Sequence, residues 1–198
     1  MSERPVSNPL ALAVLACLAE RPMHPYEMAS TMRERRKDDA IKLNYGSLYS
    51  VIESLCKHGF IVAKETIKDG KRPERTVFEL TENGRLELGD WLSELLSEPT
   101  KEYTHFEAGL SLMPVLSPEE ALKLLRRRVE MLELELAKAR SVDAYARERR
   151  IPRLHMVERE FQVSQREAEV SFVRALIDDL AGGRLDGLEE WRSWHTAG

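Results

Sequence analysis

Apolar residues recur at helical spacing through most of the chain. The first such segment follows Asn8, which suits an N-cap, and the second begins at Pro25. Residues 42–61, KLNYGSLYSVIESLCKHGFI, form the third, with Leu48 and Leu55 on its apolar face. Three helices joined by short polar turns within sixty residues predict a helix-turn-helix unit.

Two segments of β character follow the third helix. FIVAKETIK and ERTVFEL are rich in β-branched and aromatic residues, and they flank DGKRP, where Asp-Gly indicates a turn. Thr81 is the expected cap of a fourth helix, which ends near SEPTK, residues 97–101. The sequence therefore predicts a winged helix-turn-helix domain over residues 1–96.

The second half is predicted to be helical throughout. A short helix stops at Pro114, a capping box opens the next at Ser117, and apolar residues then alternate at spacings of three and four. A last apolar stripe runs from Leu154 to Leu180. Because a heptad seam must pack on another helix, we expect a coiled-coil-like dimerisation domain over 102–183 and a loosely held tail over 184–198. The expected interface residues are Leu122, Leu125, Val129, Leu132, Leu136, Phe161, Phe172 and Leu176.

The predicted fold class is thus mostly α with one small β-hairpin, and the composition, 42 % hydrophobic and 32 % charged, suits it. The net charge of −4 argues against nucleic-acid binding, but residues 1–92 hold 14 Lys+Arg and 14 Asp+Glu, so the acidic surplus lies in the second half. The N-terminal apolar run is short and ends in Glu20 and Arg21, a poor signal peptide or membrane span. We expect a cytoplasmic protein with no membrane partner.

The outward face of the third helix carries small and hydroxyl-bearing residues near its start. With Leu48 buried, Gly46 and Ser50 point outward, Tyr45 and Tyr49 lie on one shoulder, and residue 47 is a serine on the other. Hydroxyls at a helix N-terminus suit phosphate, and tyrosine and asparagine reach base edges, as a recognition helix in the major groove requires. The alternative is an ordinary helix start whose tyrosines cover the core. The basic hairpin beside it favours the winged helix, although a charged hairpin tip alone is usually only solvated.

Residues 9–96 resemble the PadR family of transcriptional regulators. The family's tyrosine-glutamate pair appears as Tyr26 and Glu27, its glycine-threonine-leucine-tyrosine-proline pattern as GSLYS at Gly46–Ser50, and its wing motif as KRPERTVFELTENG. Serine replaces the family's proline at position 50. The second half resembles the long helical C-terminal region of one subfamily, to about residue 183. The resemblance implies a homodimeric, usually repressing, DNA-binding protein that a small molecule, such as a phenolic acid, releases from DNA.

Double-stranded operator DNA is therefore the expected partner, besides a second copy of the chain. We expect Tyr45, Ser47 and Tyr49 to set sequence choice, the lysines and arginines of the hairpin to attract phosphate, and Tyr26 to contact phosphate or bridge the core. The predicted DNA-binding residues are Tyr26, Asn44, Tyr45, Gly46, Ser47, Tyr49, Ser50, Lys64, Lys71, Arg72 and Arg75.

A small-molecule effector site is expected in the helical half, with an aromatic wall and a few polar anchors. The alternative is that these anchors are solvated side chains. The predicted effector-binding residues are Phe106, Arg127, Arg128, His155 and Phe161.

A catalytic function is not expected. The five histidines are scattered, and the sequence has no Gly-rich phosphate loop and no nucleophile elbow. We expect no cofactor and no metal, with Cys17 and Cys56 as core residues and His24 and His58 at helix ends. The competing function is a dimeric winged-helix adaptor that binds protein and not DNA.

Overall fold

The computed structural model describes residues 4–37, 40–67 and 75–196, which fall in two compact units, Met1–Lys101 and Glu102–Gly198. The first unit contains α1 (Pro9–Glu20), α2 (Pro25–Glu34), α3 (Tyr45–Lys57), β1 (Ile61–Ile67), β2 (Arg75–Leu80) and α4 (Glu82–Ser97). The second contains α5 (His105–Ser111), α6 (Pro118–Glu148), α7 (Val157–Ala181) and α8 (Leu188–Thr196), with 3₁₀ turns at Met113–Val115 and Arg153–His155. The described residues confirm the predicted fold class, mostly helical with one antiparallel hairpin.

The predicted helix starts are confirmed by their caps. The Asn8 side chain accepts a hydrogen bond from the Leu10 amide at 2.9 Å, and Pro9 follows it. Ser117 and Glu120 form a reciprocal capping box at the start of α6. Such caps satisfy amide groups that have no partner inside the helix, which is why polar residues mark helix starts in a sequence.

The core of the first unit lies around α1, which contacts α2, α3, α4 and β2. Leu15 of α1, Met28 of α2, and Leu48 and Leu55 of α3 have no exposed surface. Each fully buried side chain of this size contributes about 1.5 to 3 kcal/mol. These contacts fix the rotation of α3 about its axis.

The two-stranded hairpin pairs with one further residue of the chain. β1 and β2 pair antiparallel from Ile61 opposite Leu80, with an irregularity between Ala63 and Glu65. Met23, between α1 and α2, adds an isolated bridge by exchanging both backbone hydrogen bonds with Phe78 at 3.0 Å. This third, one-residue strand was not predicted, and it ties the base of the wing to the helix-turn-helix.

One close junction joins α3, β1 and α4. Thr81 caps α4 by accepting from the Gly84 amide at 3.0 Å, and its hydroxyl lies 2.7 Å from the Gly59 carbonyl oxygen. A Cβ at Gly84 would overlap the Phe60 carbonyl oxygen, so α4 reaches this position only because residue 84 is glycine. Gly59 ends α3 with φ of 72°, a conformation that favours glycine. The threonine-x-x-glycine pattern therefore encodes a backbone packing contact.

The second unit is built on an antiparallel pair, α6 and α7. Arg128 of α6 pairs with Glu169 of α7, while Asp143, farther along α6, accepts from Arg159, nearer the start of α7. Val173, with no exposed surface, belongs to the core between the two helices. The seam residues buried in this core are Leu125, Val129, Leu132 and Leu136.

This packing buries Leu125, Val129, Leu132 and Leu136, which were predicted at the dimer interface, within one chain. The seam needs a partner helix, and α7 of the same chain supplies it. Leu122 and Leu176 are partly buried at the margin of the same core. Phe161 and Phe172, by contrast, are 63 % and 54 % exposed on α7.

Residues 184–198, predicted to be a loosely held tail, include α8. Leu188 and Trp191 of α8 are buried in the second core, where Trp191 is only 5 % exposed. Its indole N–H donates to the Leu116 carbonyl oxygen at 2.8 Å. α8 has nine residues, and the burial of these two side chains anchors it to the second core. None of the described helices has the length and apolar character needed to cross a bilayer.

We predict that Gly84→Ala destabilises the first unit by about 2 kcal/mol or more, because the new methyl group meets backbone that must move. Thr81→Ala, which removes the cap, should lower the free energy of unfolding by about 1 kcal/mol. Gly89→Ala in the same helix is the matched control: its Cβ meets nothing within 4 Å, so it should be neutral or stabilise by up to about 1 kcal/mol. Chemical denaturation measures all three, and equal stability of the two glycine variants would contradict this account of the junction.

Candidate DNA-binding surface

The first turn of α3 is an exposed surface whose backbone is held by Asn44. The Asn44 side-chain oxygen accepts from the Ser47 amide at 2.7 Å. Leu48 points into the core, while Tyr45 and Tyr49 remain exposed. Asn44, predicted as a DNA contact, therefore also orders the turn that carries the other predicted contacts.

Gly46 places no side chain on this surface between the two tyrosines. A Cβ at Gly46 would lie 3.6 Å from the Asn44 side-chain oxygen, an ordinary contact distance, so packing within the chain does not require glycine here. The Ser50 hydroxyl donates to the Gly46 carbonyl oxygen at 3.1 Å, within the helix. The absence of a side chain at Gly46 thus gives an outside molecule close access to the helix backbone.

Tyr26 lies on the same surface and not in the core, since 65 % of it is exposed. Its ring stacks on Tyr45, with centroids 6.3 Å apart and 11° between the planes. Arg33, which was not predicted, donates to the Tyr45 hydroxyl at 3.0 Å and places its guanidinium carbon 5.0 Å from the ring centroid. Arg33 could have been found from its spacing: it lies seven residues after Tyr26, which puts both side chains on one face of α2.

The hairpin residues predicted to contact phosphate are only partly described. Lys64 stands at the irregularity in the β1–β2 register and pairs with Glu79 at 3.0 Å. Arg75 begins β2, opposite Ile67. Lys71 and Arg72 lie outside the described residues.

Carboxylates offset part of the positive charge near α2. Arg21 pairs with Glu27, and Arg35 pairs with Glu20. The hydrogen bonds from these arginines lower the pKa values of Glu27 and Glu20, so both carboxyls stay ionised at neutral and mildly acidic pH. These two arginines therefore add little net positive charge near α2.

His24, His58 and Cys17 have structural roles. The His24 ring nitrogen Nδ1 accepts from the Tyr26 amide at 3.1 Å as the cap of α2, and the His58 Nδ1 lies 2.8 Å from the Ser54 carbonyl oxygen at the end of α3. Burial raises the pKa of the Cys17 thiol, which lies in the first core. Within the described ranges, no three His, Cys, Asp or Glu side chains converge as a metal site.

Two of the predicted effector residues, Phe106 and Arg128, are in contact in the second unit. The Arg128 guanidinium lies 3.6 Å from the Phe106 ring centroid and is paired with Glu169. Arg128 therefore links α5, α6 and α7, and its charge is already offset. Arg127 is exposed on α6, beside an open groove of about 720 Å³ that Leu116 and Leu124 also line.

The structure does not bring His155 to this pair within one chain. Arg159, one turn beyond His155, donates to Asp143 at 2.7 Å. Asp143 is fifteen residues after Arg128 on α6, which corresponds to about 22 Å along the helix. His155 and the exposed Phe161 therefore lie near the opposite end of the α6–α7 pair.

A helix-turn-helix followed by an antiparallel hairpin, with the start of the third helix exposed, defines a winged-helix DNA-binding domain. Residues 14–90 match the model of the transcriptional regulator PadR-like family. Residues 14–90 therefore carry a PadR-like domain, as the resemblance in its motifs predicted.

The similarity to known proteins reaches beyond residues 14–90. The chain is 25 % identical over 128 residues to the negative transcriptional regulator PadR of Bacillus subtilis, covering 65 % of this chain and 69 % of that protein. The fold matches Bacillus subtilis PadR in complex with operator DNA (TM-score 0.69, 20 % identity, 87 % and 99 % of the two chains). It also matches Bacillus subtilis PadR in complex with p-coumaric acid, with a TM-score of 0.68 and 18 % identity over 87 % of this chain and 98 % of that chain. The match to the Vibrio cholerae virulence activator AphA has a TM-score of 0.64 and 19 % identity over 87 % of this chain and 98 % of that chain.

We predict that Gly46→Ala keeps the fold and weakens binding to a specific DNA site. The methyl group fits within the chain but occupies the space at the exposed face, so the loss should be about 1 to 3 kcal/mol, as for a lost base contact. Melting temperature and gel-shift affinity measure the two effects, with Gly89→Ala as the control that should retain full affinity. Full affinity of Gly46→Ala would show that DNA does not approach here.

Proposed function

We propose that this protein is a homodimeric repressor that binds double-stranded operator DNA through α3 and the hairpin, in the cytoplasm, and is released by a small aromatic effector. The observation that carries the proposal is the exposed first turn of α3, where Gly46 leaves the backbone open between Tyr45 and Tyr49. A core-covering role for the tyrosines does not account for their exposure.

Base reading is assigned to the start of α3. Tyr45 and Tyr49 lie on one side of the exposed first turn and Ser47 on the other, where side chains of a recognition helix contact base edges. Gly46 and Ser50 let the helix approach, and Asn44 fixes its first turn.

Phosphate attraction is assigned to the hairpin and to the start of α2. Lys64 keeps about half of its side-chain surface exposed beside Glu79, so it can exchange that carboxylate for a phosphate. The other predicted phosphate contacts are Tyr26, Lys71, Arg72 and Arg75. These contacts add affinity for any sequence and make binding depend on salt.

The interface with a second copy of the chain is assigned to the outer face of α7. Phe161 and Phe172 are eleven residues apart, close to three helical turns, so they lie on one line along the helix. Exposed aromatic residues in line are typical of protein interfaces. Two winged helices related by such an interface would bind half-sites about one turn of DNA apart.

Repression and release are supported by the relatives. The Bacillus subtilis protein is named a negative regulator, and its structures include one with operator DNA and one with p-coumaric acid. In this chain, the groove beside Arg127 has apolar Leu116 and Leu124 and the cations Lys123 and Arg126, where an aromatic carboxylate would bind. Its lining also includes the carboxylates Glu119, Glu120 and Glu130, which would oppose an anion elsewhere in the groove. Phe106 with Arg128, and His155 with Phe161, remain candidate contacts at two separate places.

The test begins by selecting duplexes from a random pool with the wild-type protein. We expect a conserved site with two half-sites, affinity that falls steeply with salt, and higher expression of a reporter behind that site when the gene is deleted. An aromatic carboxylate should release the complex, and Arg127→Ala should raise the concentration that this release requires.

Each part of the proposal can fail separately. Failure to enrich any sequence would favour the adaptor, whereas loss of expression on deletion would indicate an activator. Release of the wild type and Arg127→Ala at one concentration would move the effector site away from the groove.

We predict that the double variant Phe161→Glu and Phe172→Glu is monomeric at micromolar concentration and binds the selected site weakly. The matched control is Leu124→Glu with Met131→Glu, two side chains of similar exposure on α6. Sedimentation velocity measures the oligomeric state of both. If the α7 double variant stays dimeric and the α6 control is monomeric, the interface lies on α6. A monomeric wild type would rule out the dimer.

A further inference from the structure

Tyr26, Tyr45 and Arg33 form one column on the outer surface of the helix-turn-helix. Tyr26 and Arg33 lie on the same face of α2, two turns or about 10 Å apart. Tyr45, the first residue of α3, fills the space between them: its ring stacks on Tyr26 and lies 5.0 Å from the Arg33 guanidinium. The column therefore fixes the side chain of Tyr45 from two sides.

This column contributes little to the stability of the fold. Tyr26 and Tyr45 are 65 % and 41 % exposed, and an exposed cation–π contact contributes only about 0.5 to 1 kcal/mol. The buried leucines of α3, at about 1.5 to 3 kcal/mol each, position the helix without it. What the column does control is the rotamer of Tyr45, which would otherwise be free at an exposed helix start.

The hydrogen bond also fixes what the Tyr45 hydroxyl offers to a ligand. A phenol has one proton to donate and lone pairs that accept. Arg33 donates to the Tyr45 oxygen at 3.0 Å, so the hydroxyl proton remains available for an acceptor outside the protein. Purine N7, guanine O6 and thymine O4 are such acceptors in the major groove.

We propose that Arg33 is a positioning residue for sequence recognition: it holds Tyr45 against Tyr26 and directs the Tyr45 hydroxyl proton toward a base acceptor in the major groove. This inference rests on the proposed operator binding. It assigns Arg33 a role different from phosphate attraction, because the guanidinium acts through the tyrosine and not through its charge alone.

The test is a double-mutant cycle of Arg33→Lys and Tyr45→Phe, measured on a duplex selected by the wild type and on an unselected duplex of equal length. Lysine keeps the charge but lacks the planar fork that stacks and donates in a fixed direction. Each single variant should lose about five- to tenfold in affinity for the selected duplex, the equivalent of one hydrogen bond, and nothing on the unselected one. The double variant should be no weaker than either single variant.

Arg35→Lys is the matched control, since Arg35 lies two residues away and pairs with Glu20. It should leave both affinities unchanged, and all variants should melt within about a degree or two of the wild type, as surface changes do. The inference is overturned if Arg33→Lys retains full discrimination, if it weakens both duplexes equally, or if its effect multiplies with that of Tyr45→Phe. If the wild type itself does not discriminate between the duplexes, the proposed function has failed instead.

Discussion

Burial of Leu48 and Leu55 against the first core decides which face of α3 is presented to other molecules. A helix turns 100° per residue, so these two leucines also determine that Gly46 and Tyr49 are exposed. The burial energy of the leucines exceeds that of any contact on the outer surface. The exposed surface can therefore vary in sequence without losing its orientation.

Local signals predicted most of this fold. N-caps at Asn8 and Thr81 and the apolar stripe of α3 act within a few residues, so the sequence displays them directly. The identity of a packing partner is a different kind of information. The seam at Val129 is satisfied equally well by a second copy or by the chain's own α7, and the period of the seam does not distinguish them. The single-residue bridge at Met23 was missed for the same reason, since it depends on a distant strand.

The candidate site also has features that follow from the local sequence and features that depend on packing between distant elements. Exposure of Gly46 and Tyr49 follows from the helical period once the apolar face is known, so these positions were predictable. The contact between Arg33 and Tyr45 depends on how α2 and α3 pack, which no periodicity specifies. Likewise, the pairing of Lys64 with Glu79 depends on an irregular strand register. Sequence patterns thus locate the surface, whereas the structure shows which of its side chains are held in place.

The hydrogen bond from Trp191 to Leu116 has a consequence for the order in which the protein forms during synthesis. The first unit has all its core residues by position 91, and a growing chain can fold it while the remainder is still being made. The second core lacks Leu188 and Trp191 until those residues have emerged from the ribosome. The α6–α7 pair therefore keeps apolar surface exposed until these last residues have been made. The first unit can complete its folding before the second.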